Sequence, residues 1–181
     1  NFGSLKEIVI PSSVTSIGKS SFDQCTSLSQ IKIPDSVKSI GDFAFNGCSS
    51  LAKIDMSSSA CSFGKCPFNG VTSLEITGGI QKIINNMFEN CTSLKQIKIA
   101  DSVSIVGNKA FSNCISLKQV NLPSSLISIG EYAFERCSSL VQIEIPYSVK
   151  SIGSFSFMNC PSLTKIEIHS LITSIKESMF N

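Results

Sequence analysis

Branched aliphatic residues return at a fixed place along the chain, at Leu5, Leu28, Leu51, Val71, Leu94, Leu117, Leu140 and Leu163, 23 residues apart except for one interval of 20. The same pattern follows each of them. In the copy that begins at Leu28, the run Leu28-x-x-Ile31-x-Ile33 ends in alternating apolar and polar positions, which predicts a strand buried on one face only. Pro34 stops it, as Pro11, Pro123 and Pro146 do in other copies, because proline cannot donate to a ladder; Ser57, Thr77, Ala100 and His169 take that place elsewhere. Val37 and Ile40 then turn inward three residues apart. Gly41 is expected to supply a positive φ, and Ala44-Phe45 sets a small core residue beside a large one on the returning, outer half of the unit.

A unit of this size cannot bury its own apolar face and must lean on its neighbours, so a fixed period predicts a stacked array. The expected fold is a mainly β solenoid of about eight 23-residue coils, one array over residues 1–181, with a parallel sheet on one side. Phenylalanine recurs in every copy, at Phe22, Phe45, Phe68, Phe88, Phe111, Phe134, Phe157 and Phe180. With coils about 4.8 Å apart these rings should stack into an aromatic spine. The third copy lacks three residues after Phe68, where the turn tightens to Asn69-Gly70, and the fourth carries Gly78-Gly79 and has Ile84 where glycine is usual. The least regular packing, with a notch or a slight bend, is expected there.

The pattern S-L-x-x-I-x-I-P-x-S-V-x-S-I-G-x-x-A-F-x-x-C, in phase along essentially the whole chain, resembles the BspA-like class of leucine-rich repeats. The resemblance implies a right-handed solenoid with short strands or single helical turns on the return side, a cell-surface or secreted setting, and adhesion to host or extracellular-matrix proteins. It names no ligand, because repeats specify a scaffold and function lies in what is grafted onto it. The leading expectation is a non-enzymatic adhesion or protein-interaction module; a structural spacer and an intracellular interaction scaffold are the alternatives, with a cytoplasmic setting left open.

Composition narrows this further. Charged residues make up 15% of the chain, well below the usual quarter or so, and serine fills many polar positions instead. The net charge of +2 is spread over all copies and forms no basic stripe, which argues against nucleic acid. No apolar run approaches the roughly 20 residues of a membrane span, so this segment is not expected to insert. A regular array repeats like groups in rows, whereas catalysis needs unlike groups converging in a pocket; no enzyme activity and no cofactor are expected.

Six of the eight cysteines, Cys25, Cys48, Cys91, Cys114, Cys137 and Cys160, follow the phenylalanine by three and form one ladder. They read as buried structural thiols, in preference to bridges between neighbouring coils. Cys61 and Cys66 stand outside the ladder, either closing a local loop or leaving Cys66 as the accessible thiol. No metal site is expected, since C-x-x-C is absent and the one histidine, His169, reads as a polar substitute for proline. Glu144 and Glu167 fall on adjacent strands and read as a solvated face offset by Lys165. Asn90-Cys91-Thr92 fits a glycosylation sequon formally, but its middle residue belongs to the ladder.

Two outward rows run along the strands, Glu7, Gln30, Lys53, Ser73, Gln96, Gln119, Gln142, Lys165 and Val9, Lys32, Asp55, Glu75, Lys98, Asn121, Glu144, Glu167. Neither contains an aromatic residue or an arginine, the types that anchor interfaces. Tyr132 and Phe155, at one position in adjacent copies, with Tyr147 near them in sequence, are therefore the candidate protein-binding residues. Both termini read as cut coils, which leaves the segment as a fragment of a longer array with unpaired edges. Weak end-to-end association is the expected outcome, visible as a concentration-dependent sedimentation coefficient; a strictly monomeric chain at high concentration would contradict it.

Overall fold

The computed structural model describes residues 3–56, 61–169, 172, 176 and 178–180; Ser57 lies outside the described residues. The chain alternates long front strands with two-residue return strands. The order is β1 (Ser16–Ile17), β2 (Gln30–Ile33), β3 (Ser39–Ile40), β4 (Lys53–Met56), β5 (Ser62–Phe63), β6 (Ser73–Thr77), β7 (Lys82–Ile83), β8 (Gln96–Lys98), β9 (Ile105–Val106), β10 (Gln119–Asn121), β11 (Ser128–Ile129), β12 (Gln142–Ile145), β13 (Ser151–Ile152) and β14 (Lys165–Ile168). The turns from β2 to β13 each hold one strand of either kind, giving six complete turns flanked by β1 and β14. This is fewer than the eight coils expected, because the apolar residues Leu5, Ile8 and Ile10 of the first copy pack on the core without forming a paired strand, and most of the last copy's return half lies outside the described residues. Among the described residues the return side holds no helix, only short strands and turns.

All strand pairs are parallel. The front ladder runs β2-β4-β6-β8-β10 and resumes as β12-β14, while the return ladder runs β1-β3-β5 and then β7-β9-β11-β13. Front strands alternate as their sequence requires: Ile31 and Ile33, or Ile143 and Ile145, are buried while Gln30, Lys32, Gln142 and Glu144 are exposed. The strand-stop proline opens a turn in which its carbonyl accepts the N–H three residues on, as from Val37 to Pro34 and from Val149 to Pro146.

Between the two ladders the Phe rings form the expected spine. Phe22–Phe45, Phe88–Phe111, Phe111–Phe134 and Phe134–Phe157 have centroids 5.1–5.5 Å apart and planes within 8° of parallel, inside the favourable stacking range. Serines account for the low charge. The hydroxyls of Ser102, Ser125 and Ser148 donate to the carbonyls of Ile80, Val103 and Leu126, each one coil back, at 2.6–2.7 Å. A short uncharged donor thus satisfies a partly buried carbonyl without the desolvation cost of a charge.

Glycine at the Gly41 position serves a different purpose from the one expected. Its φ is not positive; the left-handed residue falls two places later, on Phe43 (φ 56°). A Cβ at Gly41 would stand 2.5 Å from the backbone nitrogen of Lys19, and one at Gly130 would stand 2.6 Å from that of Asn108. The absent side chain allows the backbones of successive coils to approach.

The irregularity expected in the third and fourth copies is a seam. Phe68 and Phe88 tilt 34° out of parallel, and the return ladder stops at β5 and restarts at β7. At each of the other five seams up to residue 158, three outer-turn amides bond to the next coil, as Phe43 N–H, Phe45 N–H and Gly47 N–H do to Lys65, Pro67 and Asn69. Among the described residues no backbone bond joins the 64–70 turn to the 84–90 turn. Ile84 gives the reason: a large side chain now occupies the place where coils otherwise touch through glycine. On the front face the missing three residues slide β6 by two positions, so Lys53 pairs with Glu75, Ile54 with Ile76 and Asp55 with Thr77. The two outward rows read from the sequence are therefore offset between β4 and β6, where Lys53 was placed beside Ser73 and Asp55 beside Glu75. A slip of two keeps every side chain on its own face.

Gly130→Ala should lower stability by about 1–3 kcal/mol through overpacking against Asn108. Gly79→Ala, where an added Cβ meets nothing within 4 Å, should change it by less than about 0.5 kcal/mol. Urea melts of the two variants measure the difference, and equal effects would remove the coil-contact explanation.

Candidate functional site

The front sheet presents side chains that largely satisfy one another. Gln96 donates to Ser73 at 2.9 Å, Lys98 meets Glu75 at 2.8 Å, and Gln119 donates to Asn121 at 3.2 Å. The Lys98 ammonium beside Glu75 holds that carboxyl below its ordinary range. Open, shallow grooves run over this face, one of about 300 Å³ between Glu75, Lys98 and Asn121.

On the outer arc, Tyr132 and Phe155 meet as the repeat spacing implies, ring on ring at 4.9 Å and 10°. The Lys109 ammonium lies 5.6 Å from the Tyr132 ring centre, extending the stack to a third coil. Both aromatic residues have left-handed backbones, with φ 55° and 59°. Other coils fill this row with Ser20, Phe43, Cys66, Asn86, Lys109 or Ser178, and a bulky residue there is strained by about 1 kcal/mol or more. Tyr147 does not join them. It projects from the turn after β12, is 76% exposed, and stacks on His169 with centroids 4.9 Å apart.

His169 follows the last residue of β14 and lies two places beyond Glu167, on the same face by strand alternation. Glu167 in turn pairs with Glu144 of β12. The imidazole Nε2 stands 3.5 Å from Glu144 Oε1 and 3.4 Å from Glu167 Oε2. Lys165 occupies the other oxygen of Glu167, and this ion pair is the main reason that carboxyl lies below its ordinary range. The His169 N–H is fixed by the Ile145 carbonyl at 3.1 Å. Sequence reasoning found the carboxylate pair and its lysine but treated the histidine apart from them; the i, i+2 relation of Glu167 and His169 was the available signal.

The ladder thiols point along the stack. Cys48, Cys114, Cys137 and Cys160 each donate to the carbonyl of the phenylalanine 26 residues earlier, Phe22, Phe88, Phe111 and Phe134, at 3.1–3.3 Å. Cysteine is small enough for the turn and carries a weak donor for a carbonyl already bonded within its own coil. Cys25, Cys48, Cys91, Cys114 and Cys137 are buried, whereas Cys160 at the far end is half-buried. Val71 takes the place of a thiol in the shortened coil: its N–H bonds to Phe68, as Cys48 N–H does to Phe45. Cys61 is buried and Cys66 half-buried, and both are free thiols.

The repeat recorded in this geometry is a known one. A family model described as the BspA type leucine rich repeat region, in six copies, matches residues 1–114 and 69–181. The chain belongs to the BspA-type leucine-rich repeat family. Solved structures agree. A leucine-rich repeat protein from Bacteroides ovatus is 30% identical with a TM-score of 0.68, covering 87% of this chain and 41% of its own. A leucine rich cell surface protein from Faecalibacterium prausnitzii is 31% identical with a TM-score of 0.57, over 87% and 44%. The T. pallidum leucine rich repeat protein is 31% identical with a TM-score of 0.53, over 85% and 63%. This chain thus spans less than two thirds of the length of each. No curated protein matches it. The BspA-type repeat array is consistent with a protein-interaction module, no catalytic family is indicated, and among the described residues no helix is long and apolar enough to cross a membrane.

Burial, above all, pushes the Cys48 thiol from its ordinary 9.0 up to about 12 and that of Cys160 to about 11. From about pH 9 upward the unfolded chain loses these protons while the native chain keeps them, so stability should fall as pH rises through this window and be flat below about pH 8. Cys114→Ala with Cys137→Ala should melt lower at pH 7, by about 1 kcal/mol per site, yet show a shallower alkaline decline. An unchanged alkaline slope in the double variant would contradict the assignment to the ladder.

Proposed function

We propose that this BspA-type array is a non-enzymatic adhesion module at the cell surface, and that it recognises protein through the outer arc around Tyr132 and Phe155. The observation that carries the reading is the stack itself: Tyr132 and Phe155 place rings in adjacent coils of this left-handed row and stack, whereas Phe43, the other ring of the row, stands between Ser20 and Cys66. A residue that strains the backbone without filling the core motivates a functional reading. The rings offer apolar area at low conformational cost, with a lysine at the rim, whereas the front-face groups are exposed and paired and contribute less than about 1 kcal/mol each. The surface setting is supported by the family and by the Faecalibacterium prausnitzii relative, a cell surface protein. Tyr147 belongs to the front margin and stands as a second, separate contact candidate.

Tyr132→Asn with Phe155→Asn tests this, since asparagine accepts the left-handed conformation and leaves the Phe134–Phe157 stack in place. Against a panel of purified extracellular-matrix and host surface proteins, the double variant should bind at least about tenfold more weakly at unchanged or higher Tm. Gln96→Ala, Gln119→Ala and Gln142→Ala together should bind normally. The reverse result would move recognition to the front sheet, and a panel with no binder would favour the spacer.

A further inference from the structure

We propose that Glu144, Glu167 and His169 form a binding site for a divalent transition-metal ion, with zinc as the best-fitting occupant. The three donor atoms come from neighbouring strands and lie within 4.8 Å of one another. Zinc bonds of about 2.0–2.2 Å at tetrahedral angles place adjacent donors about 3.4 Å apart. Nε2 of His169 lies 3.5 Å from Glu144 Oε1 and 3.4 Å from Glu167 Oε2, so both edges measured from the imidazole already have the length a tetrahedral ion requires. These distances are long for an N–H···O bond, so the hydrogen bond from the imidazole to Glu167 is a weak one.

The donor set is mixed, which separates it from an ordinary patch of acidic residues. One imidazole with two carboxylates suits a borderline ion better than calcium or magnesium, which favour all-oxygen shells. Three protein ligands leave a fourth position open to water or to a donor from another molecule. The surroundings hold the ligands in place. Glu144 and Glu167 are fixed by strand register, the His169 backbone by Ile145, and the imidazole plane by the Tyr147 ring. Lys165 engages only Oε1 of Glu167 and leaves Oε2 turned toward the histidine. An ion at this point would also offset the repulsion between two facing carboxylates, which the single lysine offsets only on one side.

Calorimetric titration of the whole chain with zinc, after alkylation of accessible thiols to silence Cys66, should show one site. Cobalt in its place should give the visible absorption of a four-coordinate ion. His169→Ala and the isosteric Glu144→Gln should each weaken zinc binding at least about tenfold, and Tyr147→Ala, which removes only the support of the imidazole, by up to about tenfold. All of these positions are on the surface, so equal melting curves exclude unfolding as the cause. Absence of stoichiometric zinc binding would overturn the site, as would uptake that survives both His169→Ala and Glu144→Gln. This result is independent of whether the aromatic arc binds protein.

Discussion

The separation of successive coils, about 4.8 Å where strands pair, is the constraint on which every other feature of the molecule depends. At that spacing a residue meets its own counterpart from the coil before, so each position must tolerate a copy of itself. Phenylalanine does so by offset stacking and cysteine by turning its S–H to a carbonyl one coil back. Serine does so by donating to a backbone oxygen, and glycine by having no Cβ to place against the neighbouring amide. Long charged side chains satisfy this rule most simply in alternating signs, as Glu75 and Lys98 do, whereas the facing Glu144 and Glu167 have Lys165 beside them. Serine in place of charge therefore follows from the axial geometry.

The seam before Ile84 shows how the same rule fails locally without breaking the fold. Removing three residues after Phe68 eliminates one thiol rung and slides β6 by two positions, and an isoleucine in a glycine site holds the outer turns apart. The core bridges the gap because Phe68, Val71 and Phe88 remain buried and the slip is even-numbered, so no apolar side chain changes face. The return ladder and its outer-turn bonds are lost there, while front pairing and the ring contact persist. Local opening should concentrate where hydrogen bonds are fewest.

What could be read from the sequence divides along the same line. Positions that repeat, such as the phenylalanine row or the inward isoleucines, were legible because each copy restates the environment of the others. The purpose of Gly41 was not, since its constraint is the distance to Lys19 in the previous coil and nothing in the local sequence states it. The deletion after Phe68 was visible, yet the register that resulted depends on how two strands settle against each other. Of the candidate contact residues, the Tyr132–Phe155 stack followed from the period, whereas Tyr147 proved to face His169, because the turn after Pro146 carries it to the front margin.

An array built this way places like beside like, and unlike groups can converge only where a repeat position changes its chemistry. Pro34, Pro123 and Pro146 follow their strands without a functional group. His169 ends its strand with one, and two residues of alternation set it on the face where Glu167 already stands beside Glu144. The ladder then supplies what an isolated surface cluster lacks, namely fixed spacing between donors on separate strands. In a solenoid the strand-stop position can thus introduce new chemistry without disturbing the core, because it lies beyond the last buried residue of the strand and before the turn that begins the return. The outer-arc row at Tyr132 is a second such place, since its side chain is set by the turn and not by the core. Variation at these two rows changes what the surface offers while the stacking that holds the molecule together is left unaltered.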